Sequence, residues 1–377
     1  MTDVVIAGIG MTPVGEHWDV SLRSLASRAI LAAEKDSGGM KPQALYIGNF
    51  LGSMISHQAN LGALITDNTG LTGIESYTVE AAEASGAAAF RMAYLAVTSG
   101  YVDIAMALGV DKITDVTDGI EKIMATALDF DYEGFEGVTP AAQAALLMQR
   151  YMYQYGVSHD VFTWIPLLAH DNAVHNPNAM YRKAIKPEVI QQADIVTDPL
   201  TMYDIAPYAD GAAAVILTRS GLLPKNPSQK PVRVLGSSLI TDSLALYDRT
   251  DPLNFNAARL SIERACRQAG ILPTDVDLFE MDDFTSIYAV LALEAAGFAH
   301  PGEGWKLGEN RHVPMLTLGG SKARGNPVGA TGIYQIAEAV TQLRGQACAA
   351  QVPNARLAMV QTLGGPASTA VTHILKV

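Results

Sequence analysis

Short apolar runs alternate with longer stretches of helical period along most of this chain, which predicts strands and helices in alternation. The first half reads as the strand VVIAGIG, a helix over 22–35, the strand ALYIGNF, a polar helix, the strand SYTVEAA, a helix over 84–98 and the strand DIAMALGV, and it closes with GAAAVILTRS. The second half repeats the order: VRVLGSSLI, a helix over 257–268, VDLFEMDD, a helix over 287–296, PMLTLGG, a helix over 332–343, ARLAMVQTLGG and STAVTHILKV. In each half one helix opens on a small-hydroxyl-glycine triplet, Ala84-Ser85-Gly86 or Ala330-Thr331-Gly332, and ends near Gly100 or Gly345 before a strand. Agreement of order, type and detail points to a duplication.

The helix over 84–98, ASGAAAFRMAYLAVT, carries Arg91 as its lone charge. A helix that is apolar nearly all round is covered on all sides, which predicts two sheets with helices between and outside them, an α/β/α/β/α layering. The competing arrangement is a doubly wound sheet with helices outside only. Between the halves, residues 115–200 have irregular Met- and Tyr-rich patterns and loop signals such as HNPNAMYRK. They read as an insertion, which makes the expected units 1–114 plus 201–228, the inserted 115–200, and 229–377. Insertions of this kind often cover a site.

Composition narrows the chemistry. With 377 residues, 49% of them hydrophobic and 17% charged, the chain can bury a large core. No apolar run approaches the roughly 18–20 residues of a membrane span, and MTDVVIAGIG lacks the basic flank of a signal peptide. A cytoplasmic protein is expected. The net charge of −12 without a basic stripe argues against a nucleic-acid partner, though it leaves room for a local basic groove. Cys266 and Cys348 have no CxxC spacing, which argues against a disulfide or a zinc site. GIGMTPVG lacks the third glycine of the dinucleotide pattern, so no nicotinamide cofactor is expected.

The repeat, VEAAEASGAAAFR, ADGAAAVIL, KARGNPVGATGIYQ and the closing QTLGGPASTAVTHIL together resemble the thiolase superfamily, most closely its sterol-carrier-protein type and the archaeal acetyl-CoA acetyltransferases. The resemblance covers essentially the whole chain. It implies a duplicated five-layer α/β fold, an obligate homodimer or dimer of dimers with the strand near Glu83 and DIAMALGVDK at the interface, and a pocket for a CoA thioester. In archaea it further implies assembly with an OB-fold zinc-ribbon protein and a synthase.

The same resemblance implies four catalytic groups, and each motif position holds something else. The cysteine of ACASG is Glu83, the histidine of GHPVGATG is Asn326, and the histidine of HDAF is Asp282. The C-terminal loop, where relatives carry a cysteine or a histidine-asparagine pair, reads Gln361-Thr362-Leu363-Gly364. A nucleophile and its activators act as a unit, so an ordinary acyl-cysteine cycle is not expected. Glu83, Asp282 and Asn326 are therefore the candidate catalytic residues, with Asp283, Gly325, Gln361, Gly364 and His170 as candidate substrate-binding residues. Two nearby carboxylates suit non-covalent enolisation or retro-aldol cleavage of a 3-hydroxyacyl-CoA. The other readings are a silent subunit that binds CoA or supports a partner, attack on the thioester by Glu83 itself, and an acetyl-CoA acetyltransferase with a site altered by nature or by design. No cofactor is expected beyond the CoA thioester as substrate or ligand. No metal is expected either, because Glu83, Asp282 and Asp283 lack a full oxygen shell for Mg²⁺ or Ca²⁺. His170 and His175 either line the CoA tunnel or bond a loop. Arg182 and Lys183 either meet phosphates or form a solvated pair, and Ser85 reads as a helix cap.

Overall fold

A computed structural model of the chain describes residues 3–225, 227, 229–308 and 313–377. The first half runs β1 (Val4–Met11), α1 (Leu22–Asp36), β2 (Ala44–Gly48), α2 (Leu61–Thr69), β3 (Glu75–Val79), α3 (Ser85–Ser99) and β4 (Ile104–Asp111). The insertion follows with α4 (Ile120–Met124), α5 (Pro140–Tyr155), α6 (Trp164–Ala173), α7 (Pro187–Gln191) and the small hairpin β5 (Ile195–Thr197) and β6 (Leu200–Thr201), after which β7 (Gly211–Arg219) closes the half. The second half is β8 (Val232–Thr241), α8 (Asn256–Ala269), β9 (Leu278–Glu280), α9 (Ser286–Ala295), α10 (Gly320–Arg324), α11 (Thr331–Leu343), β10 (Leu357–Gly364) and β11 (Thr369–Lys376).

The strand order β3-β2-β4-β7-β1-β8-β11-β10-β9 is the duplication written in hydrogen bonds. From the junction outward, the first half pairs antiparallel (β1 with β7, β7 with β4) and then parallel (β4 with β2, β2 with β3). The second half does the same with β8, β11, β10 and β9. Two residue pairs, Val5 with Arg233 and Ile6 with Val232, join the halves. The expected strand PMLTLGG is reduced to a bridge between Met315 and Phe279. Leu316 takes φ 50° and the left-handed Gly319 and Gly320 turn the chain into α10, so the ladder stops there.

Helices α3 and α11 lie between the two halves of the sheet, in a core that joins Ala89, Phe90 and Ala93 to Ile333, Tyr334 and Ile336. α1 covers the outer face of the first half and α8 that of the second. The five-layer arrangement is therefore present, and a sheet with helices outside only is not. Although the insertion interrupts the first half in sequence, Tyr151, Phe162 and Ile165 share a core with Phe255, Ile287 and Val290 of the second half. The insertion thus roofs the end of the molecule where both central helices begin. Among the described residues no helix is long and apolar enough to cross a membrane.

The central layer closes through glycine. A Cβ on Gly48 would stand 2.4 Å from Gly86 Cα, and one on Gly332 would stand 2.6 Å from Ala87 N. Both contacts are with backbone, which cannot step aside as a side chain can. Gly332→Ala should therefore destabilise the protein by about 1–3 kcal/mol in urea unfolding, and an unchanged midpoint would show that the two helices are not held this closely.

Candidate active site

Glu83 sits in the turn that carries β3 into α3. Ala82 adopts φ 49°, a left-handed conformation that a non-glycine residue holds only when its surroundings enforce it. Ser85 enforces it: its hydroxyl donates to Ala82 O at 2.5 Å and accepts from Ala81 N at 2.9 Å. Ser85 therefore closes the turn and is fully buried, but it is the first residue of α3 and not its cap, a place held by Ala84 without a side-chain bond. The duplicated loop before α11 repeats the device with Val328 at φ 42°. There Asn326 Oδ1 accepts from Val328 N at 3.1 Å and from the Thr331 hydroxyl at 2.8 Å.

One short segment holds the two candidate carboxylates. Gly365 N donates to Glu83 Oε2 at 2.7 Å, and Leu363 N donates to Asp282 Oδ2 at 3.3 Å, while Phe284 N holds Asp282 Oδ1 at 2.9 Å. Gly364 lies between these two donors, and a Cβ there would stand 2.4 Å from Ala81 O, so this loop and the Glu83 turn are in backbone contact. Burial raises the pKa of Asp282 to about 7, against the pull of its two backbone donors, and the charges of Asp283 and Glu83 add to the rise. Burial raises Glu83 as well, opposed by the Gly365 N–H and by its own, with Glu80 adding to the rise.

A cavity of about 1150 Å³ opens beside this cluster, under the insertion. One part of its wall is basic, with Lys322, His170, Arg182 and Lys183. Lys322 is buried, its Nζ donating to Met202 O at 2.8 Å and Ile205 O at 2.6 Å, and burial lowers its pKa to about 8. His170 is buried too, with its ring nitrogen Nδ1 3.2 Å from Lys183 O and its pKa lowered by desolvation. Arg182 and Lys183 are exposed. Elsewhere the wall is formed by Glu121, Ala206, Pro207 and Tyr208. The Tyr208 backbone pairs with Asn326, and its ring stacks on Phe284 at 6.3 Å. Glu83, Asp282 and Asn326 do not line this cavity; Tyr208, which does, pairs through its backbone with Asn326 and feels the charge of Glu83.

The structure brings Glu83, Asp282, Asn326 and Gly364 together and places His170 in the adjoining cavity. Gly325, at φ 99°, starts the Asn326 loop and abuts Val14. Two expectations need correction. Gln361 points to the other face of its strand, where its Nε2 donates to Ala258 O at 3.1 Å and Thr372 Oγ1 at 3.1 Å, because Thr362 is the residue that faces the central helices. Asp283 is turned to α10, accepting from Ser321 N at 2.5 Å and Lys322 N at 3.1 Å, so its oxygens are committed to the fold and away from Glu83. His175 is exposed and outside the cavity wall. Cys266 lies on the outer helix α8 and burial raises its thiol to about 11, while the exposed Cys348 follows the far end of α11, about 20 Å of helix from its start.

Four residues near the site had escaped the sequence reading. Lys322 opens the quoted segment KARGNPVGATG and Tyr208 immediately precedes ADGAAAVIL, so both stood next to recognised motifs. Tyr288 on α9 feels the charges of Glu83 and Asp282, and its position one turn beyond Asp282-Asp283-Phe284 was a usable signal. Glu121 lies in the irregular insertion, where no pattern singles it out.

Residues 4–221 match the thiolase N-terminal domain, and residues 238–377 match the thiolase C-terminal domain-like family. The chain is 40% identical to an acetyl-CoA acetyltransferase of Methanothermobacter thermautotrophicus over 99% of each chain. It is 28% identical to sterol carrier protein 2 of Bos taurus, across 98% of this chain and 71% of that one. The solved Ltp2-ChsH2(DUF35) aldolase superposes with a TM-score of 0.86 at 22% identity, covering 100% of this chain and 98% of that one, a likeness of fold. Duplicated sheet, paired glycine-bearing helices and family match over nearly the whole length converge: this chain belongs to the thiolase family.

Proposed function

We propose that the chain binds an acyl-CoA, or a similar pantetheine thioester, in the cavity under the insertion and carries out carbon–carbon bond chemistry on it without a covalent acyl-enzyme. The observation that carries this reading is the clamp on Glu83 and Asp282. Leu363 N and Gly365 N hold two buried carboxyls of raised pKa at the end of both central helices, where the family resemblance puts a cysteine and a histidine.

Retro-aldol cleavage of a 3-hydroxyacyl thioester needs only what such a pair supplies. One carboxylate takes the proton of the 3-hydroxyl as the C2–C3 bond breaks and its electrons pass to the thioester enolate; the other, protonated, returns a proton to C2. Lys322, Arg182, Lys183 and His170 suit the phosphate and amide groups of the carrier.

Acetyl-CoA acetyltransferase is the activity named for the 40%-identical relative, and acetyl transfer through a cysteine is the competing reading. Against it stands the placement of the only two cysteines, one under the outer helix α8 and one beyond the far end of α11. A role as one subunit of a larger assembly fits the structural neighbour, the Ltp2-ChsH2(DUF35) aldolase. An OB-fold zinc-ribbon protein and a synthase remain the proposed partners. Self-association is proposed through β3, the half-exposed edge strand with Tyr77 on its surface; DIAMALGVDK, the other segment expected at the interface, is the buried β4, paired on both sides with β2 and β7, and has no free edge.

Calorimetric titration with CoA and acetoacetyl-CoA, followed by product analysis with 3-hydroxyacyl-CoA, is the direct test. Binding with cleavage is expected, with Glu83→Gln and Asp282→Asn each losing about 100-fold or more in rate; a protein that binds neither thioester contradicts the reading. Because one carboxyl must be ionised while the other is protonated, the rate should peak near neutrality with one limb close to pH 7. That limb should vanish in Asp282→Asn, and a profile flat from acid to alkaline pH would exclude the pair. Light scattering should give at least a dimer, and a monodisperse monomer would count against the β3 contact.

A further inference from the structure

Tyr208 lines the cavity and feels the charge of the buried Glu83, and it is polar. Tyr208 and Glu121 both line the cavity, and the buried Tyr208 hydroxyl lies against the Glu121 carboxylate, close enough that each shifts the other's pKa. The contact falls short of full hydrogen-bond geometry, and neither the hydroxyl nor Glu121 Oε2 has another partner among the described residues. Two buried polar atoms that face each other without completing a bond call for an account. Neither residue is loosely held. The segment 207–209 is laddered to Asn326 on both sides, Asn326 N donating to Pro207 O at 2.9 Å and Ala209 N to Asn326 O at 3.1 Å. Ile120, Ile123 and Met124 pin α4 into a small core with Leu51, Ile55 and Val328, against which Tyr208 itself packs. The 207–209 segment and α4, which carry this pair, are thus fixed to the loop that carries Asn326.

We propose that Glu121 is the proton carrier on the cavity side of the site, and that Tyr208 couples it to Glu83. Protons taken from or returned to the bound acyl group then pass between cavity and buried carboxylates through the Tyr208 hydroxyl. This rests on the acyl-thioester reading above and adds to it the residue that meets the acyl group. The chemistry of the link is simple. A single hydroxyl donor faces Glu121 and lies within the field of Glu83, and donation to either carboxylate favours the anion of the one that receives it. Glu121 and Glu83 are the charged groups that Tyr208 feels, and Tyr208 is the titratable group facing Glu121; burial raises the pKa of all three. In an α-proton exchange the Glu121 carboxylate takes the proton, and the C–H electron pair moves into the thioester enolate. Return of a proton from the carboxyl to the α-carbon restores the thioester, with no change in oxidation state. Glu121 would touch substrate in this step, whereas Tyr208 is a positioning residue.

The experiment follows deuterium entering the α-position of acetyl-CoA in D₂O, with the full chain, across pH. Thioester binding by calorimetry and thermal unfolding are measured on the same samples. Wild type should exchange; Glu121→Gln should lose about 100-fold and Tyr208→Phe about tenfold. Both variants should keep binding and unfolding unchanged, and Tyr208→Phe should displace the pH profile, an effect a merely packing role would not produce. Exchange at the wild-type rate and pH profile in both variants, with Glu83→Gln inactive, would overturn the proposal and leave the carboxylate-pair reading standing. Binding without exchange in wild type would overturn both.

Discussion

Backbone contact between the beginnings of two buried helices is the constraint on which this structure depends. α3 and α11 meet through positions where no side chain fits, Gly86 against Gly329 O and Gly332 against Ala87 N. Helices that close need small residues along the seam, and they bring both positive N-terminal ends to one place. Each is entered through a turn that holds a non-glycine residue at positive φ, Ala82 before α3 and Val328 before α11. The site is the consequence: Glu83 rides on one turn and Asn326 on the other. Asp282 reaches the same place from the loop after β9.

Burial then decides what those groups do. Helix ends and backbone donors favour a charged carboxylate, and desolvation favours a neutral one. Desolvation wins at both Glu83 and Asp282, despite the hydrogen bonds from Gly365, Leu363 and Phe284. A nucleophilic thiolate would require the opposite outcome. On the proposed reading the site serves proton transfer near neutral pH, and the groups around it, Tyr208, Tyr288 and Glu121, are also held towards their neutral forms by burial.

The duplicated fold was legible in the sequence because its physical cause leaves marks there. The triplets Ala84-Ser85-Gly86 and Ala330-Thr331-Gly332 are the helix seam itself, and a helix without charge beyond Arg91 had to be sandwiched. Glu83, Asp282 and Asn326 could be proposed from the sequence because the resemblance fixes their positions, and the fold brings those loops together whatever residues they carry. Gln361 was misread because the strand's period of two was not counted through it: Val360 and Thr362 face the central helices, so Gln361 faces α8. Asp283 was misread because its task, capping α10, is visible only once Ser321 N and Lys322 N are in place. Glu121 and the role of Tyr208 lay out of reach, since both depend on where the insertion folds, and its irregular pattern does not say.

The central claim is that thioester chemistry proceeds here without a cysteine. It is tested most directly by a chain carrying Cys266→Ala and Cys348→Ser, assayed for 3-hydroxyacyl-CoA cleavage and examined by intact mass during turnover. The account expects the rate of the unsubstituted protein and no acyl adduct. Loss of cleavage in that variant, with an acyl group found on either cysteine of the parent protein, would contradict it.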